Sequence, residues 1–135
     1  MDKRRLVDTD VIIRYLVQDH EKHAKLDTRL FDACDRGELV IVVLPSVLAE
    51  SVFVLESFYQ APRTDIASAL VRLISSPGIE IREVAVHLDA LRRYRETKVH
   101  FVDCLIAASA VAEEVPVASF DQDFRKFHDV RLEVQ

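Results

Sequence analysis

Four carboxylates stand on short segments that are otherwise apolar. Asp8 lies in RLVDTDVII, Glu50 in VLAESVFVL, Asp103 in FVDCLIAASA and Asp121 in VPVASFDQDF. A carboxylate in such company loses hydration, at a cost of roughly several kcal/mol unless a cation or a set of donors replaces the water. Most other acids lie in mixed polar stretches such as EKHAKLDTRLFDACDRGE and LDALRRYRETK, where a solvated helix face accounts for them. One acidic pocket holding a hard divalent cation is the simplest shared explanation for the four. Oxygen donors select Mg2+ or Mn2+ over zinc, and Mg2+ is commonly completed by waters and substrate phosphate. An acid cluster with few histidines therefore points to phosphodiester hydrolysis by metal-activated water, with no covalent nucleophile.

Each acid also has a plain structural reading. Asp8 follows a strand and precedes a helix, so it can cap that helix, although Thr9 and Asp10 fit the task equally. The favoured assignment makes Asp8 a ligand and leaves Thr9 and Asp10 to cap or support it. Glu50 sits on a helix whose Val47, Leu48, Val52, Phe53, Val54 and Leu55 leave only a narrow polar strip, shared with Ser46, Glu56 and Ser57. Asp103 falls near a helix start, where negative charge is favourable in any case, and this role coexists with ligation. Asp121 and Ser119 are both placed to cap DQDF, and Asp123 is expected to be exposed.

The elements that must position these groups follow from the periodicities. RRLV (4–7) reads as a short buried strand and DVIIRYLVQ as a helix with Val11, Ile12, Tyr15 and Leu16 inward. HEKHAKLDTRLFDACDRG is an amphipathic helix with Ala24, Leu30, Phe31 and Cys34 inward, ended by Gly37. LVIVVL (39–44) is apolar throughout, the mark of a strand covered on both faces. Pro45-Ser46 opens the helix VLAESVFVLESFY, and RTDIASALVRLIS is the next, stopped by Ser-Pro-Gly. IEIREV (79–84) alternates like a more exposed strand. HLDALRRYRETK is a basic amphipathic helix, and FVDCLIAASAVAEE, apolar on nearly all sides, a buried one. VPVAS (115–119) is a strand, DQDFRKF a helical turn and VRLEV an edge strand. Strands alternating with helices predict an α/β sandwich with a mostly parallel sheet, in which sites form beyond the carboxyl ends of strands. Asp8 and Asp121 fall there; Glu50 and Asp103 must come from helices reaching the same edge.

The 135 residues suffice for one domain over residues 1–135. Two Gly and four Pro leave no room for a flexible linker. No apolar run is long enough to span a bilayer, and MDKRRLVDTD reads as mature protein, not a signal peptide. Cys34 and Cys104 make no CxxC, and Cys104 reads as a small buried hydrophobe, so a reducing cytoplasm is expected. The net charge of −5 argues against a generic nucleic-acid binder, but not against an enzyme that meets nucleic acid through metal and a local basic patch. Arg92, Arg93, Arg95 and Lys98, with His100, form the densest basic run; it is either an exposed helix face or a rim that tracks RNA phosphates. Arg14 is a second candidate for that contact. His20 and His23 in HEKH lack the HExxH pattern and a third ligand, and a solvated face accounts for them. For Tyr15, Phe58 and Tyr59 core packing is the default over base stacking. GxxxxGK[ST] and GxGxxG are absent, so triphosphate and dinucleotide binding have no support.

In order and spacing, LVDTDVIIRYL, VLAESVFVL, FVDCLIAASA and ASFDQDF resemble the four acidic motifs of PIN-domain ribonucleases, above all the compact bacterial toxins of the VapC type. The resemblance runs from about residue 6 to residue 127. It implies a three-layer α/β/α sandwich around a central, mostly parallel sheet. It also implies a Mg2+- or Mn2+-dependent endoribonuclease, a cognate antitoxin that blocks the site, and dimers. By match, Asp8 and Asp103 take the positions most firmly tied to metal, Glu50 completes the site or orients water, and Asp121 supports metal binding. Thr9 and Ser119 match positions where hydroxyls assist. Asp10 departs from the pattern, since members often carry Asn there. Two other readings compete. A haloacid-dehalogenase-type phosphatase would use Asp8 of DTDV as nucleophile, but it leaves Glu50 and Asp103 unexplained. A non-catalytic module would keep the fold only for docking, which retention of all four acids opposes.

Overall fold

Short β-branched runs pair in parallel and hand the chain to helices that return it to the start of the next strand. The computed structural model describes residues 2–17 and 21–133, without the side chains of 21–27. The chain forms two compact units, Met1–Arg82 and Glu83–Gln135.

In the first unit, β1 (Arg4–Leu6), β2 (Val40–Val42) and β3 (Ile79–Glu80) make a parallel sheet with β2 in the middle. Arg5 pairs with Ile41, and Ile41 with Ile79. Residues two apart share a sheet face, so Val7, Ile41, Val43 and Ile81 form one buried face. The opposite face carries Arg4, Leu6, Val42, Leu44, Glu80 and Arg82. There the Arg4 Nη2 meets Glu80 Oε1 at 2.7 Å, and Leu6 is 69% exposed. Two expectations are thereby corrected. RRLV is not a buried strand, because β1 is a sheet edge and Arg4 and Arg5 keep it in water; only Val7 is buried. LVIVVL is not covered on both faces, since Leu44 is exposed and Val42 only half-buried.

Helices α1 (Thr9–Val17) and α2 (Glu21–Asp35) lead from β1 to β2. Helices α3 (Pro45–Ser57) and α4 (Arg63–Ile74) lead from β2 to β3. Pro45 opens α3, where its missing N–H costs nothing. Leu48, Ser51, Val52 and Leu55 bury one stripe of α3 at helical spacing, and the Ser51 hydroxyl donates to the Val47 carbonyl at 2.7 Å. Phe53, on the opposite side, is 68% exposed. Tyr15 stacks on Phe31 with ring centres 3.7 Å apart, in line with core packing. Phe58 does not follow that default: it is exposed and meets Tyr59 edge-on. His20, His23 and the inward reading of Ala24 lie outside the described residues.

In the second unit, α5 (Val84–Glu96) packs on α6 (Phe101–Glu113). Strand β4 (Val117–Ala118) pairs in parallel with β5 (Leu132–Glu133), and a 3₁₀ turn over Gln122–Lys126 lies between them. Strand β3 is shorter than IEIREV suggested, because Val84 already begins α5. Ala90, Leu91, Tyr94, Val99, Cys104 and Ala107 are fully buried. Helix α6 is not buried all round. Val102 and Ile106, one turn apart, are exposed, while Cys104, Ala107 and Ala108 on the opposite side form the core. Both cysteines are free and buried. Among the described residues no helix is long and apolar enough to cross a membrane.

Two glycines hold positive φ, Gly37 at +77° and Gly78 at +83°. A Cβ on Gly37 would meet nothing within 4 Å, whereas one on Gly78 would lie 2.7 Å from Cys34 Sγ. Gly37→Ala is expected to cost about 1 kcal/mol of backbone strain. Gly78→Ala adds overpacking and is expected to cost roughly 2–4 kcal/mol. Urea denaturation of the two variants checks this; equal losses would show that the Cys34 contact relaxes freely.

Candidate functional site

Each unit supplies two of the four motif acids. In the first, parallel β1 and β2 leave the sheet at the same edge. Asp8 follows β1 and Glu50 lies in the second turn of α3, the helix that follows β2; α1 and α3 are in contact. Asp8 Oδ1 accepts a hydrogen bond of 3.0 Å from the Val11 N–H. Asp8 is thus the N-cap of α1, satisfying a donor at the first turn. The expectation that Thr9 or Asp10 would cap is corrected: Thr9 is the first helical residue, and Asp10 Oδ2 pairs with Arg14 Nε at 3.2 Å, one turn on. The cap occupies Oδ1, and a carboxylate offers a second oxygen for a ligand. Glu50 is exposed, on the strip formed with Ser46, Phe53 and Ser57.

In the second unit Asp103 is the third residue of α6 and half-buried. Burial pushes its carboxyl above the usual carboxylate range. The charge of Asp121 adds to this and that of Asp123 adds less, while His100 opposes them. Asp121 Oδ1 accepts from the Asp123 N–H and caps the 3₁₀ turn, and the Asp121 N–H donates to Ser119 Oγ, both at 2.9 Å. Ser119 therefore orients Asp121 rather than capping the turn itself. The dehydration expected of all four acids holds only for Asp103: Asp8, Glu50 and Asp121 are exposed, because each sits at a junction or strip that its helix leaves open to water.

Among the described residues no group of three or more His, Cys, Asp or Glu is placed to hold a metal ion. Asp103 and Asp121 do interact, and two carboxylates fit Mg2+, which is usually held by one or two with water and phosphate rather than by an all-protein cage. The Asp103 carboxyl, raised chiefly by burial and further by the charge of Asp121, fits a cation, which would favour its charged form.

The basic run divides. Arg93 is only 3% exposed. Its Nε donates to Asp89 at 3.0 Å, its two Nη atoms grip both oxygens of Asp129, and its guanidinium lies 5.1 Å from the Phe127 ring centre. Hydrogen bonding from Asp129 raises the Arg93 pKa, and the same bonds hold the Asp129 carboxyl below its ordinary value. Arg93 therefore has no surface to offer RNA, which corrects that assignment. Arg92 is exposed but paired with Asp89 and Glu96, at 2.6 and 3.0 Å. Arg95 and Lys98 remain exposed. Asp123, expected to be exposed, is half-buried beside Asp121, and the sequence reading missed Asp129 and the Arg93 clamp. No local signal marks that clamp, since Asp129 pairs across 36 positions.

Parallel strands with acids just beyond their carboxyl ends define an α/β protein of the kind that binds charged ligands at that edge. The PIN domain profile matches residues 5–130, and the chain belongs to the PIN domain family. PIN domains are in general nucleases, typically using divalent metal ions, and the family carries the expected α/β/α fold class. The phosphatase alternative gives way to this. No curated protein matches the chain. Among solved structures, one similar chain comes from the Rickettsia felis VapBC2 complex bound to a DNA fragment from its promoter; it is 18% identical over 98% of each chain, with a TM-score of 0.38.

Because the Asp129 carboxyl is held low in the folded state, its stabilisation is present above the unfolded carboxylate pKa and lost as pH falls through the folded one. Asp129→Asn is thus expected to lower the urea midpoint at pH 7, with the deficit closing at about pH 3 and below. An equal deficit at both pH values would place the effect elsewhere than in the ion pair.

Proposed function

We propose that the chain is a Mg2+- or Mn2+-dependent endoribonuclease, the cytoplasmic toxin of a toxin–antitoxin pair. The observation that carries this is the PIN domain match, whose span over residues 5–130 contains all four acidic motifs. The toxin role and a homodimeric, antitoxin-bound state rest on the resemblance of those motifs to VapC-type toxins.

In this reading Asp8 and Asp103 are the principal metal ligands, and Asp8 retains its cap through Oδ1. A divalent cation bound by such a carboxylate would lower the pKa of a water and neutralise charge gathering on the scissile phosphate. Glu50 orients the attacking water and accepts its proton, a role open to an exposed carboxylate with no ion pair of its own in view. Asp121, braced by the Ser119 hydroxyl, sets the negative potential around Asp103 and supports the cation. Thr9 and Asp10 support Asp8. Arg14, Arg92, Arg95 and Lys98 meet RNA phosphates, with Arg14 and Arg92 first exchanging their carboxylate partners.

RNA incubated with the protein and Mn2+ or Mg2+ is expected to be cut internally, and EDTA to abolish cutting. Asp8→Asn and Asp103→Asn are each expected to retain the far-ultraviolet dichroism of the wild type and to lose roughly 100-fold or more of the activity. Undiminished cleavage in EDTA, or by either variant, overturns the reading. A wild-type protein that binds no Mn2+ at millimolar concentration favours the non-catalytic module instead.

A further inference from the structure

The acids of the second unit lie on two different pieces of chain. Asp103 is fixed in α6, which packs on α5. Asp121 and Asp123 lie in the loop and 3₁₀ turn between β4 and β5, two strands of two residues each. Two strands of two residues each fix the 119–126 segment only weakly by themselves, so its placement depends on side-chain contacts from the helix pair.

Arg93 is placed to make them. It stands on α5, one helix away from Asp103, and its guanidinium grips Asp129 with both terminal nitrogens. The same group lies over the Phe127 ring, at the C-terminal end of the 3₁₀ turn. Asp89, one turn earlier on α5, accepts a hydrogen bond from the Nε within the same helix. A planar bidentate fork fixes orientation as well as distance, which a lysine cannot reproduce. Thr97 accompanies it, donating to the Arg93 carbonyl at 2.8 Å and accepting from the Val99 N–H where α5 turns toward α6.

We propose that Arg93 is a positioning residue for the acidic site: its fork on Asp129 and its contact with Phe127 tie the segment bearing Asp121 and Asp123 to the helix pair bearing Asp103. This rests on the metal-dependent reading above. Arg93 touches neither RNA nor metal; it acts through the placement of two carboxylates.

The test compares Arg93→Gln, Arg93→Lys, Asp129→Asn and Asp89→Asn with the wild type. Mn2+ affinity is measured by calorimetry, and amide exchange over residues 122–131 in metal-free protein. Arg93→Gln and Asp129→Asn are expected to weaken Mn2+ binding about ten-fold or more, the range seen when groups that orient ligands are removed. Both are expected to exchange faster over 122–131. Arg93→Lys is expected to fall between, keeping charge and losing the fork. Asp89→Asn breaks a bond within α5 and is expected to stay within about two-fold of wild-type affinity, even where it costs stability. If Arg93→Gln does not fold, Asp129→Asn carries the comparison. Wild-type affinity in Asp129→Asn overturns the assignment, as does a loss in Asp89→Asn equal to that in Asp129→Asn, which would mark general destabilisation. Those results leave the metal-dependent reading standing. A wild-type protein that binds no Mn2+ ends both.

Discussion

A carboxylate drawn partly out of water beside two other acids is the constraint on which the second unit's candidate site depends. Asp103 is half-buried at a helix start and feels Asp121 and Asp123. Removing a carboxylate from water and placing others beside it both disfavour ionisation. The helix N-terminus offsets part of that cost, and His100 a further part. What remains is a standing preference for positive charge, arising from the placement of three acids on α6 and on the segment after β4. A site built for stability alone would have put a lysine or arginine among them. Lys126 does meet Asp123, at 3.4 Å on the surface, and among the described residues His100 is the basic group that acts on Asp103.

Parallel pairing supplies the other half of the logic. Because β1 and β2 run the same way, the chain leaves both at one edge and enters α1 and α3 there. A side chain can satisfy helix N–H donors at such an exit, and a carboxylate is among the best, although α3, entered through Leu44 and Pro45, has no side-chain cap. Asp8 does this for α1 and Asp121 for the 3₁₀ turn. Capping and the ligation proposed for Asp8 are therefore compatible uses of one position. The cap orients the carboxylate with one oxygen, and the second stays open to a ligand. A structural reading and a functional reading of Asp8 need not compete, since the first prepares the second.

Much of this was legible in the residues, for physical reasons that also mark where legibility ended. The helices over 45–57, 63–74 and 101–113 follow from apolar spacing, from Pro45 and from the Ser-Pro-Gly stop, all local signals. The candidate acids stood out because carboxylates are rare on apolar segments. Exposure was harder to read. Hydrophobic neighbours in sequence suggested that Glu50 was dehydrated, yet α3 turns its stripe of Leu48, Ser51, Val52 and Leu55 inward and leaves Glu50 and Phe53 in water. A helix with apolar residues on most sides gives no clear direction for its core face. The cap was misjudged between Asp8, Thr9 and Asp10 because three adjacent residues of suitable chemistry differ only by backbone conformation. The Arg93–Asp129 pair was invisible, since nothing local links residues 36 positions apart.

Arg93 shows why a run of basic residues is a poor guide to nucleic-acid contact. In sequence it is one of three arginines within four positions, and periodicity alone would spread them over a solvated face. In the fold they have three fates. Arg92 is tied to Asp89 and Glu96 on the surface, Arg93 is enclosed by Asp89, Asp129 and Phe127, and Arg95 faces water. With a net charge of −5, the chain lacks a broad positive field that would draw RNA from a distance. On the proposed reading attraction is local, from Arg95, Lys98 and any cation the acids gather. An acidic nuclease of this kind would meet RNA chiefly through its metal, so its RNA affinity would track Mg2+ occupancy more closely than the count of surface arginines.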